Sequence, residues 1–358
     1  MKLKKIIIFA LLAITANIYG QSPTNYADQT VEAKGQTIFI IDDFSDKYSG
    51  KIIIIEGDKV QFEGVDLDNS CWIVIFDKKT YQEFLKIQAY WDFSGDEYDG
   101  KAPVKLPYSE QDYIIYGDFN FDGKKDFAIN YGNFGPYMSA AYFIYLATDK
   151  GFEYSEVFTD LQGMGMFHVD YDTKQITSCA KSGCCIHWCS VYTVENNTPV
   201  RIKYVLEQSN ENGVMMDIEE EKRRLNGEMV RQKYSIFEAE SFEEYVVYSF
   251  EFSNKKKMRL VCANMGEYGE DKLTLLYIFT DKDNKVELYT TLDNNFYYSK
   301  KDNSLEFKNG KTTYKITSSG IIITTPSKKY DMKAVPETIK GSLAAILKKN
   351  FKNLVIVE

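Results

Sequence analysis

Asp118-Phe119-Asn120-Phe121-Asp122-Gly123-Lys124-Lys125-Asp126 sets oxygen-bearing side chains at alternate positions ahead of a glycine that permits a sharp turn. This is the pattern of a calcium loop. Ca²⁺ takes six to eight oxygens at about 2.3–2.6 Å, and a tight loop supplies several of them. The expected ligands are the side chains of Asp118, Asn120, Asp122 and Asp126 and the carbonyl of Lys124. A helical EF-hand would carry a bidentate Glu at the twelfth position, where this chain has Ile129. The flanks agree with that exclusion: Tyr113-Ile114-Ile115-Tyr116 and Phe127-Ala128-Ile129-Asn130-Tyr131 are short, β-branched and aromatic, the signature of strand-loop-strand. A metal-free hairpin turn rich in Asp, Asn and Gly is the plainer alternative.

Working outward, the same strand chemistry recurs. The 358 residues include 27 Tyr and 23 Phe against only 7 Pro, and runs such as Ile52 to Ile55, Trp72 to Phe76, Tyr142 to Leu146, Val191 to Val194 and Arg201 to Leu206 are strand-like. The expected class is all-β. Acidic turns begin at Asp66, Asp118 and Asp170, spaced by 52 residues each time, and Asn226-Gly227 falls near the end of the next interval. A period near fifty suits a propeller blade, although plain hairpins would also produce it. Glu219-Glu220-Glu221-Lys222-Arg223-Arg224 could form a charged helix; the Asn-Gly turn after it favours a solvated hairpin. A composition shift near Phe237 to Ser241 marks a boundary, giving a propeller-like domain over 24–238 and a smaller β-rich domain over 239–358. Pro336, with Ile339, Leu343, Ile346 and Leu347 on one face, predicts a helix at the end of the chain.

The first twenty residues carry Lys2, Lys4 and Lys5, then an apolar run from Ile6 to Ile14, then smaller and more polar residues. Residues 1–20 are therefore expected to be a secretory signal peptide, and the mature chain to be exported, periplasmic or extracellular, without a membrane span. Without those three lysines, 40 basic residues face 52 acidic ones, a formal charge of −12. Nucleic acid is a poor partner for such a chain; a protein partner is the better expectation. All six cysteines lie beyond residue 20, and disulfides persist in exported proteins. Cys179 and Cys189 flank Lys181-Ser182-Gly183, which reads as a hairpin apex and predicts a cross-strand disulfide between them. Cys184 and Cys185 can bond to each other or to Cys71 and Cys262; a zinc site with His187 is a weaker alternative.

Catalytic groups are sparse. His168 and His187 are the two histidines, neither lies in a recognisable nucleophile or zinc-protease motif, and no carboxylate pair is singled out by its spacing. Binding is the expected role, not catalysis. Gly132-Asn133-Phe134-Gly135-Pro136-Tyr137-Met138-Ser139 is a shaped loop one strand beyond the calcium motif, and Phe134 and Tyr137 are its candidate partner contacts. Equally, both aromatics could cover the edge of the core.

The run Tyr116-Gly117-Asp118-Phe119-Asn120-Phe121-Asp122-Gly123, with Tyr142-Phe143-Ile144-Tyr145 and on to Asp170 and Ser178, resembles the secreted bacterial FG-GAP-like proteins with a calcium-binding, β-propeller-like domain. The resemblance covers about residues 40–236 and departs from integrin-like propellers in having one complete calcium loop. Leu305-Glu306-Phe307-Lys308-Asn309-Gly310 with Tyr314 is similar to a strand pair in small lysozyme-inhibitor domains. Some FG-GAP-like members are periplasmic immunity proteins that block lysozyme-like effectors. The resemblance therefore implies calcium as cofactor and inhibition of a peptidoglycan-degrading enzyme. A calcium-stabilised binding or adhesion module without inhibitory activity is the alternative.

Overall fold

The computed structural model describes residues 36–55, 57–62, 65–68, 70–90, 103–211, 213–238, 242–263 and 273–358; the expected signal peptide lies outside them. Strands dominate, as the composition predicts, and helical turns are short. The chain divides into two compact units, one ending at Ile114 and the other spanning Ile115–Glu358. The division expected at 238/239 falls inside the second unit.

In the first unit a five-stranded sheet has the spatial order Glu83–Tyr90, Ser70–Asp77, Tyr48–Ile55, Gln36–Ile41, Val104–Lys105; the last pair is parallel and the rest antiparallel. Ser70–Asp77 reads Ser-Cys-Trp-Ile-Val-Ile-Phe-Asp, an apolar run without alternation, because both of its faces are covered. Cys71, Ile73 and Ile75 are fully buried in it. Burial pushes the Cys71 thiol up to about 12, which leaves it unreactive.

Four larger sheets build the second unit. The first has the order Gly151–Tyr154, Ala141–Thr148, Asp126–Gly132, Ile114–Gly117. The next is an uninterrupted meander of six strands from His168–Asp170 to Met229–Ile236. Phe119, Ile144, Phe158, Phe167 and Ile176 form a core that draws on both. A five-stranded sheet follows, with the order Val286–Tyr289, Thr274–Thr280, Lys257–Ala263, Val246–Glu251, Lys340–Gly341. The last sheet runs from Lys329–Lys333 at one edge to Leu354–Val357 at the other. Lys257–Ala263 shows why a central strand must be apolar throughout: Met258, Leu260 and Cys262 enter one core while Val261 and Ala263 enter another.

Three expectations are resolved by this architecture. Among the described residues no closed propeller forms: the acidic turns at Asp66, Asp118 and Asp170 fall in a two-stranded ribbon, a four-stranded sheet and a six-stranded sheet. Equal spacing measured the chain between turns, whereas a propeller needs the same blade each time. The Glu219–Arg224 run is the expected hairpin, Met216–Arg223 against Met229–Ile236, with Gly227 at φ 84° in its turn. Its glutamates form an ion-pair lattice, Glu219 with Arg231 and Lys233, Glu220 with Lys203 and Lys222, and Glu221 with Arg201.

The terminal helix is corrected. Residues Pro336–Thr338 and Leu343–Lys348 are 3₁₀ turns separated by the short strand Lys340–Gly341, and the chain ends in the strand Leu354–Val357. Gly341 has φ 72°, and a Cβ there would run into the Val247 carbonyl of the neighbouring strand. Close approach to that strand interrupts the helix, and the i,i+3 pair Leu343 and Ile346 still reaches the core because 3₁₀ geometry repeats every three residues.

Candidate functional site

The 118–126 loop connects the strands Ile114–Gly117 and Asp126–Gly132. Its alternation divides labour. Phe119 and Phe121 anchor it, edge-to-face on Phe167 and Tyr171 at 5.7 and 6.2 Å. The intervening oxygens stay with the loop. Asp118 accepts from the Asp122 and Gly123 amides at 3.1 and 2.9 Å, and Asp122 accepts from the Lys124 amide at 2.8 Å. Asn120 is buried; its Nδ2 donates to Asn197 Oδ1 at 3.2 Å, which leaves Oδ1 facing the Asp122 amide. Lys124 turns its ammonium away to Asp149 at 2.7 Å.

Asp126 is the inner post of the loop. It is fully buried, and its two oxygens accept from the amides of Phe119 at 2.7 Å and Ala147 at 2.8 Å. Burial, with the Asp122 and Asp118 charges, raises its pKa to about 6 against the pull of the two amides. A buried carboxylate beside two further acids, with no cationic side chain bonded to it among the described residues, is electrostatically suited to a cation. The donor set is all oxygen, the preference of a hard ion, and in that respect fits Ca²⁺. The acids share one loop but form no tight cluster: among the described residues no three His, Cys, Asp or Glu side chains are gathered closely enough to hold a metal by themselves.

The raised value has a sign. Folded protein binds the extra proton, so this group's stabilisation is complete below about pH 4 and is lost as pH rises through about 6. In chelator, the stability of wild type minus that of Asp126→Asn should fall across this window by roughly 3 kcal/mol. Parallel pH profiles of the two proteins would refute the assignment.

The partner candidates separate. Phe134 is half-buried against Tyr131, ring centroids 5.7 Å apart, and its ring occupies the space a Cβ would need at Gly132. Tyr137 instead projects: it is 57 % exposed, next to Met138 at 77 %, and both residues have positive φ, 56° and 58°. Its hydroxyl accepts from the Gly183 amide, and Lys181 Nζ lies 5.2 Å from its ring centre. These partners belong to the cysteine hairpin, Gln175–Ser182 against Ile186–Glu195. Exposed Met164 joins the same hairpin through its amide, which donates to the Cys179 carbonyl at 2.9 Å. Met138 and Met164 had no pattern to distinguish them in sequence.

Cys179 and Cys189 pair directly in register and are disulfide-bonded, as expected, but about a turn at residues 183–185 and not 181–183, since Lys181 and Ser182 are still paired strand residues. Cys184 and Cys185 bond to each other at the tip, while Cys71 and Cys262 are free and buried. His187 and His168 are exposed strand residues of this sheet. Replacing Cys179 and Cys189 together by Ser should cost about 3 kcal/mol, from the entropy of the ten-residue loop they close. Urea unfolding of the double variant measures this; an unchanged midpoint would mean that the bond does not constrain the unfolded chain.

No helix among the described residues is long and apolar enough to cross a membrane, and the disulfides are compatible with an exported protein. No family model and no curated protein matches the chain. Among solved structures, the chain is similar to one described as the structure of a Xanthomonas Type IV Secretion System related protein, at 22 % identity and a TM-score of 0.36, covering 51 % of this chain and 88 % of that one.

Proposed function

We propose that this is an exported, calcium-stabilised binding protein whose Tyr137 tip engages a protein partner. The observation that carries the reading is the mounting of Tyr137, an exposed aromatic in a left-handed backbone conformation, tied by its hydroxyl to a disulfide-closed hairpin. Preorganised aromatic anchors lose little entropy on binding, and such residues contribute a disproportionate share of interface energy. Calcium, held by Asp118, Asn120, Asp122, Asp126 and the Lys124 carbonyl, would neutralise the loop's acids. The loop leads through the strand Asp126–Gly132 into the turn that carries Tyr137.

The partner to which the family resemblance points is a peptidoglycan-degrading enzyme of the lysozyme type. Titrating the mature protein into such hydrolases tests it: loss of turnover at near-stoichiometric protein is expected, while full activity at excess protein overturns inhibition. Binding without inhibition would favour the adhesion-module reading. Polymer cleavage by the protein alone would make it an enzyme. Tyr137→Ala should weaken the complex by about thirtyfold, roughly 2 kcal/mol, while the melting temperature falls by only a few degrees from loss of the hydrogen bond with Gly183. Undiminished binding by that variant would move the contact surface elsewhere.

A further inference from the structure

A second site lies far along the chain from the calcium loop. Directly opposed residues share one face of a sheet, and the pairings Ile278–Arg259, Arg259–Ser249 and Ser249–Lys340 place these four side chains in one row. The next row carries Lys257 opposite Glu251. Arg259, Ser249, Lys340, Lys257 and Glu251, with Glu243 and Thr338, line a cleft of about 420 Å³, within the range of small-molecule sites.

Arg259 is the unusual member. Its side chain is 3 % exposed, its guanidinium lies 4.6 Å from the centre of the Phe237 ring, and it donates to Thr280 Oγ1 at 2.9 Å and Asn284 Oδ1 at 2.8 Å. Both acceptors are neutral. Arginine has five N–H donors, so three are left over, and among the described residues no carboxylate accepts from them. Burying a guanidinium without an anion is costly. The nearby acids are already engaged, Glu251 with Lys257 at 3.2 Å and Glu243 with Lys340 at 3.0 Å. Among the described lining residues three cations thus face two carboxylates, an excess of one positive charge.

We propose that this cleft binds a small carboxylate of amino-acid or dipeptide size, its carboxylate on Arg259 and the Ser249 hydroxyl. The charge balance selects the class. One net positive charge matches a monoanion, whereas Glu243 and Glu251 repel a dianionic phosphate. Those same two acids are already held by Lys257 and Lys340, so a ligand ammonium would have to compete with those lysines, and a plain monoanion fits better than a zwitterion. Nothing in this assignment depends on the calcium loop or on the Tyr137 tip.

Saturation-transfer NMR on the full mature protein tests the site with N-acetylglycine, glycylglycine and inorganic phosphate as probes. Saturable binding of N-acetylglycine near or below about 1 mM is expected, with glycylglycine and phosphate both weaker. Arg259→Lys and Ser249→Ala should each weaken N-acetylglycine by about tenfold or more, the loss of a hydrogen bond to a charged group. If Arg259→Lys fails to fold, Ser249→Ala and the exposed-site variant Lys340→Glu carry the test. The proposal is overturned by absence of saturable binding up to about 10 mM, by affinity unchanged in Ser249→Ala and Lys340→Glu, or by phosphate binding in preference to both carboxylates.

Discussion

Removing calcium should lower the melting temperature of the protein by on the order of 10 °C when the comparison is made against calcium near a thousand times its dissociation constant. An ion that binds only the folded state adds RT ln(1 + [L]/Kd), about 4 kcal/mol at that ratio, and a unit of this size shifts by a few degrees per kcal/mol. Asp122→Ala should abolish the response. Asp122 is exposed and among the described residues its side chain holds the Lys124 amide alone, so the variant should melt close to the calcium-free wild type. The variant therefore separates metal binding from folding. Superimposable scans in calcium and in chelator, over a wide concentration range, would eliminate the metal assignment and leave the loop as a hairpin closed by its own Asp and Asn side chains.

Phe307→Ala should destabilise the protein strongly, by about 3–5 kcal/mol. Phe307 is fully buried, and its ring meets Phe296, Tyr277 and Tyr314 at centroid distances of 5.3, 4.7 and 4.8 Å. Removing it strips three aromatic contacts as well as its buried area, and neighbours on paired strands cannot close the void without breaking register. Chemical denaturation read by near-ultraviolet circular dichroism measures the loss. A cost under about 1 kcal/mol would show that this core relaxes freely, contrary to its packing.

Much of the fold was legible because strand and turn signals are local. Trp72 to Phe76, Tyr142 to Leu146 and Met258 to Cys262 all lie within observed strands, since β-branched and aromatic runs report on the two or three residues either side of them. Asn226-Gly227 marked its hairpin, and a turn between Cys179 and Cys189 marked theirs, although its apex is residues 183–185 and not 181–183. The candidate site was partly legible for the same reason: the oxygens of Asp118, Asn120, Asp122 and Asp126 are spaced within one turn of chain.

The remainder was decided across long separations. The end of the chain has a helical pattern, yet Gly341 is drawn against the Val247 carbonyl and the segment breaks into 3₁₀ turns. Nothing near Tyr137 in sequence indicates that its hydroxyl meets Gly183, 46 residues on, or that Phe134 closes over Gly132 while Tyr137 projects. Asn120 finds Asn197 at a separation of 77 residues, and the Arg259 cleft draws on Glu243, Ser249, Thr338 and Lys340. By itself, then, the sequence determined the strand-rich class, the turns and the disulfide hairpin, which follow from chemistry repeated every two residues. Only the tertiary structure decided how many strands each sheet holds, which aromatic is exposed and where a buried arginine bonds to no carboxylate among the described residues, because those depend on which distant backbone and side-chain groups compete for the same space.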